Sequence, residues 1–212
     1  MTSKSLYALG ALFMLTACGG GGSKYAFDNE KFNDGDYSFV VMSASNNIKT
    51  GLVPDNSFRF KNEKGDEFSI YLNGTNGFMI PSGNYELDYY GIYKYRQNGN
   101  FVQTINSNFT EFAEASFSVK PGHAYYLGKN ELNITRAQKN PKSNIFFRKT
   151  PQGEHMDFTA VMVDDFDKLP QSVLEKYETQ TGKKLEKNIM KWKDIDHKAA
   201  DVNADGPLAN KK

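Results

Sequence analysis

The chain has 212 residues, of which 39% are hydrophobic and 14% aromatic, and its formal net charge at pH 7 is +1. A net charge this close to zero argues against a nucleic-acid-binding protein and against a strongly basic protein of membrane surfaces. The single cysteine, Cys18, excludes a framework of intramolecular disulfides. The sequence contains no P-loop, no dinucleotide-binding glycine pattern, no Gly-x-Ser-x-Gly and no His-Glu-x-x-His, so we predict that the protein is not an enzyme.

The first 18 residues have the three parts of a secretory signal peptide: a charged start at Lys4, a short apolar run over residues 6–15, and an exit of small residues. The apolar run is too short to cross a bilayer, which needs about 20 apolar residues. Its ending, Leu15-Thr16-Ala17-Cys18, resembles the lipobox of bacterial lipoproteins. The resemblance implies that residues 1–17 are removed as a signal peptide and that acyl chains, palmitate among them, are attached to Cys18 as a membrane anchor.

Four glycines and a serine follow Cys18 and predict a flexible tether, which we extend from residue 18 to residue 35. A cysteine followed by glycines also resembles the start of surface lipoproteins of the transferrin-binding type. In lipoproteins an Asp after the cysteine is a signal for retention in the inner membrane, and position 19 is Gly. The resemblance therefore implies the bacterial outer membrane, with the periplasmic face and the cell-surface face both left open.

Residues 36–165 alternate apolar and polar side chains with a period of two, between clusters of Gly, Asn and Pro, and predict eight or nine short strands. Hairpins are expected at Asn62–Asp66 and at Asn98-Gly99. We predict a mainly β fold, an antiparallel β-sandwich, with a small β-barrel as the alternative. The turns Pro81-Ser82-Gly83-Asn84-Tyr85 and Pro121-Gly122-His123-Ala124-Tyr125 resemble those of transthyretin-like β-sandwich domains in bacterial lipoproteins, which implies the same fold.

The pattern becomes helical after residue 165. A proline near a first turn, an apolar stripe and a glycine stop predict a short helix. The residues that carry this pattern are Pro170, Val173, Leu174, Tyr177 and Gly182. A second, weaker amphipathic segment follows, so we assign residues 166–197 to one or two short helices packed on the sandwich. Residues 198–212 are small and polar and are predicted to be a flexible tail.

Tyrosines are the candidates for a binding surface. Neighbouring residues of a strand face opposite sides, so one member of the pair Tyr89 and Tyr90 is expected in the core and the other at the surface. An exposed tyrosine stacks on sugars or anchors a protein partner. The candidates that we select are Tyr90, Tyr93, Tyr95 and Tyr126.

The C-terminal residues 201–206 match the first half of an EF-hand loop, with Asp201, Asn203 and Asp205 at ligand positions 1, 3 and 5. Position 12 of such a loop is Lys212, a cation where a bidentate carboxylate belongs. We therefore predict no cofactor and keep Ca²⁺ at these three residues as the alternative.

These features predict a lipid-anchored, non-catalytic module that serves binding or envelope structure. Its expected partners are the membrane and a protein or glycan, and no nucleic acid. The alternative is a small-ligand carrier or a carbohydrate-active enzyme of the cell envelope. A deep pocket with convergent carboxylates or histidines would favour the alternative, whereas a filled core with a flat aromatic patch would favour the binding module.

Overall fold

The computed structural model describes residues 24–47, 54–98, 101–137 and 156–198. In these ranges twelve strands form two six-stranded sheets that pack together, which confirms the mainly β sandwich. The strands are β1 Tyr37–Asn47, β2 Asp55–Asn62, β3 Glu67–Leu72, β4 Gly74–Pro81, β5 Gly83–Asn98, β6 Phe101–Asn108, β7 Ala115–Val119, β8 Ala124–Ala137, β9 Met156–Val163, β10 Leu185–Lys187, β11 Lys191–Trp192 and β12 Ile195–His197. Two α-helices, α1 Asn29–Asn33 and α2 Gln171–Thr181, and 3-10 turns at Thr110–Phe112 and Phe166–Lys168 complete the described elements.

Sheet A has the strand order β12-β9-β8-β1-β4, with β10 also paired to β8. Sheet B has the order β11-β7-β5-β2-β3, with β6 also paired to β5. The pairings are antiparallel, except that β8 runs parallel to both β1 and β10. Because the two sheets share no strand within the described ranges, the barrel alternative is wrong.

Sheet A is buried on both faces, because the residues of β1 alternate between two cores. Val40 and Met42 point between the sheets, whereas Phe39 and Val41 point toward the helices. A strand that is covered on both faces has a nearly continuous run of apolar residues in its sequence, and β1 has such a run. The molecule therefore has three layers: the helices, sheet A and sheet B.

The turns at Pro81–Gly83 and Lys120–Gly122 carry the chain between the sheets. The first leads from β4 in sheet A to β5 in sheet B, and the second leads from β7 in sheet B to β8 in sheet A. Buried Ser38 ties both corners together, since its hydroxyl lies 2.8 Å from the hydroxyl of Ser82 and donates to the carbonyl of Lys120 at 2.7 Å.

Both predicted hairpins are confirmed. Strands β2 and β3 pair across the Asn62 turn, where the side-chain oxygen of Asn62 accepts hydrogen bonds from the backbone N–H groups of Lys64 and Asp66. Strands β5 and β6 are paired as far as Asn98 and Phe101, the residues on either side of the second predicted turn. The predicted helix is confirmed as α2, which ends at Gly182 with a φ of 66°, a conformation that glycine adopts without strain.

The predicted boundary between tether and body at residue 35 is wrong, because Tyr25 already packs on the sandwich. The carbonyl of Tyr25 accepts from the N–H of Met79 on β4, and its ring meets the ring of Phe68 edge-on, with centroids 5.0 Å apart. Asp28 caps α1 by accepting from two of its first N–H groups, and Phe32 of that helix is fully buried. Apolar burial on sheet A therefore orders a segment that the glycine run alone suggests is flexible.

The prediction of helical structure over residues 185–197 is also wrong. This segment, which we call the C-terminal strap, forms β10 beside β8, then β11 beside β7, then β12 beside β9. It thus passes from sheet A to sheet B and back. Buried Met190 and half-buried Trp192 close the gap between the sheets, and the indole N–H of Trp192 donates to the carbonyl of Ala160 at 3.1 Å.

Candidate functional site

The outer face of sheet B is the open broad face of the sandwich. Helices cover the outer face of sheet A, but no described element covers that of sheet B. Among the described residues, Tyr71 on this face is the only large hydrophobic side chain left exposed, with 46% of its surface accessible. This face is therefore the candidate contact surface.

Three tyrosines lie around and over two small buried residues, Ser57 and Gly91. Register pairs Tyr71 with Ser57, and Ser57 with Gly91, so these three positions lie in one row across β3, β2 and β5. Tyr71 leans toward Tyr93, and their ring centroids lie 5.4 Å apart. Tyr89 is the third ring, and we call the surface formed by Tyr71, Tyr89 and Tyr93 the tyrosine face.

Gly91 makes room for the ring of Tyr89. A Cβ atom at position 91 would lie 2.6 Å from the Tyr89 hydroxyl oxygen and 2.3 Å from the carbonyl oxygen of Ser107. The Tyr89 ring therefore lies against the sheet above the glycine. Burial raises the pKa of the Tyr89 hydroxyl, which stays protonated and available as a donor at neutral pH.

A β-bulge determines which tyrosines face outward. The register of β2 against β5 shifts where Arg59 pairs with Tyr89 and Phe60 pairs with Leu87, so that Asp88 is an extra residue. Such a bulge changes the direction in which the following side chains point. As a result Leu87 packs against the core, Asp88 and Tyr89 point outward, and Tyr90 points inward.

The charges beside the tyrosines are paired with one another. Asp88 accepts from Arg59 Nε at 2.5 Å and from Lys61 Nζ at 2.9 Å, and Lys61 also lies 3.5 Å from Glu67. The hydrogen bond from Lys61 is the main cause that lowers the pKa of Asp88 below its ordinary value. The guanidinium carbon of Arg59 lies 5.8 Å from the ring centre of Tyr89, so the charged row borders the tyrosine face directly.

The predicted tyrosine candidates meet different outcomes. Tyr93 is partly exposed on the tyrosine face. The prediction that Tyr90 lies at the surface is wrong, because its side chain is fully buried. Its hydroxyl donates to the side-chain oxygen of Asn130 at 3.0 Å. The side chain of Tyr95 lies outside the described residues.

The prediction that Tyr126 lies at the surface is also wrong, for a different reason. It points to the outer face of sheet A, but that face is covered, and Tyr126 is fully buried. Its hydroxyl donates to Asp165 Oδ1 at 2.6 Å and lies 3.1 Å from Ser43 Oγ. Burial, with the nearby Asp165 carboxylate, raises the pKa of this hydroxyl.

Two members of the tyrosine face, Tyr71 and Tyr89, were not among the candidates. The signal for Tyr71 is the alternation of β3, where Ile70 and Leu72 are buried on the other face. For Tyr89, the pairing with Tyr90 correctly predicts that one of the two faces outward. The alternation that begins at Tyr85 would place Tyr89 inside, and the bulge at Asp88 reverses it.

The remaining predicted site residues lie outside the described ranges: Cys18, and the candidate calcium ligands Asp201, Asn203 and Asp205. Within the described ranges, no three His, Cys, Asp or Glu side chains come together in a way that would hold a metal ion. No helix in the described part of the chain has the length and apolar character needed to span a bilayer.

A polar groove of about 940 Å³ lies at the end of the sandwich where the two corners meet. Its wall includes Lys64, Lys120, Asp36 and Asp66, so both signs of charge line it. Beside it, His123 Nδ1 lies 2.7 Å from Glu186 Oε1 on the surface. The groove is open and mixed in charge, and Asp36, Asp66 and Glu186 are the carboxylates of its wall.

Comparison of the chain with protein-family models, with curated proteins and with solved structures finds no match. The resemblances to lipobox lipoproteins and to transthyretin-like domains remain predictions.

Proposed function

We propose that this protein is a lipid-anchored module of the bacterial cell envelope that binds a partner through its tyrosine face and performs no chemistry of its own. The observation that carries the proposal is the asymmetry of the sandwich. One outer face is buried beneath helices, and the other carries three aromatic rings, of which Tyr71 is exposed and Tyr89 and Tyr93 are partly exposed. Exposed aromatic side chains on a rigid sheet are typical of contact surfaces.

The filled interior supports binding at the surface rather than inside the fold. Large aromatic side chains occupy the space between the sheets and pack on one another, for instance Phe58, Phe60, Phe68, Phe109, Phe117 and Phe158. A close-packed interior leaves no room for a ligand of appreciable size. Binding is therefore expected at the surface of the described residues, where the tyrosine face and the groove at the corners lie.

The anchor belongs to the same proposal. Acylated Cys18 would hold the body to the outer membrane, and the contact of Tyr25 with β4 makes the connection short. Tyr25 is seven positions after Cys18, so the chain between their Cα atoms spans at most about 25 Å. Such a short connection raises the effective concentration of the tyrosine face near partners on the same membrane.

Photo-cross-linking in living cells tests the binding face. A benzophenone amino acid is introduced at position 71 and, as the matched control, at exposed Glu175 on α2. We expect light-dependent adducts from position 71 and none from position 175. Adducts of equal yield at both positions, or none at position 71, would contradict the proposal.

A further inference from the structure

We propose that the tyrosine face binds a neutral oligosaccharide built of pyranose rings with equatorial substituents, a ligand class that rests on the proposed role of this face in binding. Three features of the face favour such a ligand: the arrangement of its rings, the pairing of its charges, and the hydrogen-bonding groups beside them.

The rings are arranged as a platform rather than a pocket. The Tyr89 ring lies over Gly91, the neighbouring Ser57 is buried, and Tyr71 is the most exposed of the three rings. A pyranose with equatorial hydroxyls presents a flat surface of axial C–H groups on each side. Such a surface stacks on an aromatic ring and leaves the polar rim of the sugar free to form hydrogen bonds.

The charges of the face favour an uncharged ligand. Arg59 and Lys61 are paired with Asp88 and Glu67, so these four side chains carry no net charge. Asp55 beside Tyr93 and Glu86 beside Lys61 add two carboxylates on the same side of the sheet. An anionic or cationic ligand would have to compete with a partner already in place. A neutral polyhydroxyl ligand binds beside these pairs without breaking them.

Free hydrogen-bonding groups lie beside the rings. Arg59 contacts Asp88 through Nε, and no described residue accepts from its terminal Nη groups. The hydroxyls of Tyr71 and Tyr93 likewise have no hydrogen-bond partner in the described part of the chain. Sugar hydroxyls, which both donate and accept, suit this combination of donors and acceptors.

Tyrosine and arginine side chains also anchor protein partners. The paired charges and the hydroxyl groups beside the rings favour the sugar, and a protein bound at this face is the competing outcome of the test.

The test is a calorimetric titration of the full-length protein, extracted in a detergent without a sugar head group. The probes are cellohexaose and N-acetylchitohexaose, with an oligogalacturonate as the anionic comparison. We expect Tyr71→Ala to weaken binding of a neutral probe about tenfold, the upper end of an aromatic contact of about 1.4 kcal/mol. Tyr71→Phe should retain binding within about twofold, since it keeps the ring. Glu175→Ala serves as the surface control, and thermal unfolding verifies that each variant is folded.

Salt provides a second readout. Binding of a neutral sugar should change little between about 50 and 300 mM NaCl, because no charge pair forms. Binding of only the oligogalacturonate, or affinity that falls steeply with salt, would overturn the proposal. If neither neutral probe binds at about 1 mM while position 71 still cross-links in cells, the ligand class is wrong and the binding face stands. If both fail, the proposed function falls as well.

Discussion

Tyr25 satisfies backbone groups at the edges of both sheets. Its hydroxyl accepts from the N–H of Ser69 at 3.0 Å and donates to the carbonyl of Glu67 at 3.3 Å, while its own carbonyl accepts from Met79. Strands β3 and β4 end their sheets, and free groups on an edge strand invite pairing with another chain. One residue therefore protects two edges on the same side of the sandwich.

Replacing Tyr25 by Phe should lower the free energy of unfolding by about 1 kcal/mol, because two backbone groups of β3 lose their partner. Urea denaturation measures the change. Tyr37→Phe is the matched control, since the Tyr37 hydroxyl makes no hydrogen bond within the described ranges. Equal losses in the two variants would contradict the role of the Tyr25 hydroxyl.

Tyr90 and Tyr93 allow a direct test of which side of β5 is buried. Tyr90→Phe removes the donor to Asn130 in a fully buried pair and should cost about 1–3 kcal/mol of unfolding free energy. Tyr93→Phe removes a surface hydroxyl and should change stability by less than about 0.5 kcal/mol. The order of the two effects in chemical denaturation is the result to check. A reversed order would show that the bulge at Asp88 is misplaced.

The ion pairs of Asp88 predict an acid-dependent loss of stability. Lys61 and Arg59 hold the pKa of Asp88 below its ordinary value of 3.8, with the Lys61 hydrogen bond as the largest cause. A carboxyl whose folded pKa is lowered stabilises the fold above its unfolded pKa and loses that contribution as the pH falls through the folded pKa. The contribution of such a surface pair is about 0–1 kcal/mol.

The difference in unfolding free energy between the wild type and Asp88→Asn should therefore be constant above about pH 5 and shrink below pH 3.8. Denaturation curves recorded from about pH 6 to about pH 2.5 cover both ranges and measure this difference. Glu111→Gln controls for the removal of one surface carboxylate. A difference that grows as the pH falls would contradict the sign of the pKa shift.

At the scale of elements, the C-terminal strap joins the two sheets along one side. It pairs with β8, β7 and β9 in turn, and Met190 fills the space between the sheets. Lys193 continues the contact through its N–H, which donates to the carbonyl of Glu114 at 3.0 Å. The strap is therefore part of the folding unit.

Truncation of Met190 to Ala should lower the free energy of unfolding by about 2–5 kcal/mol, since the side chain is 2% exposed and its loss leaves a cavity. Thermal and urea denaturation measure the effect. The neighbouring Lys191→Ala, at an exposed position, should change stability by less than about 0.5 kcal/mol. Similar small effects at both positions would mean that the strap is dispensable.

The strands of the sandwich are predictable from local chemistry. The Asn62 and Asn98 turns and the alternation of β3 each use information from a few adjacent residues. The side of β5 on which a tyrosine lies is not predictable in this way, because one extra residue at Asp88 reverses the alternation and leaves no mark in composition. Tyr126 follows the alternation, but its burial depends on helices more than 40 residues away in sequence.

The two terminal segments were mispredicted for a common reason. Residues 185–197 contain apolar side chains at spacings compatible with a short helix, yet they form strands because open strand edges offer backbone partners. The segment from Tyr25 to Phe32 lies beside a glycine run, but its aromatic side chains are buried on the sandwich. In both cases tertiary contacts override the local pattern.

At the scale of the whole molecule, the layers separate support from contact. Helices α1 and α2 and the strap cover one face and one side, Tyr25 closes the opposite edge, and the tyrosine face stays open. A short connection from Cys18 to Tyr25 would hold this body close to the membrane. Tethered display through Cys18 is the central claim, because without the anchor the face has no fixed place in the envelope.

Intact-mass spectrometry of the protein extracted from membranes tests this claim most directly, with Cys18→Ala as the comparison. The account predicts a chain that begins at Cys18 and carries the added mass of acyl chains, and a variant that is neither cleaved nor acylated. A wild-type chain that keeps residues 1–17, or one whose Cys18 remains a free thiol, would contradict it.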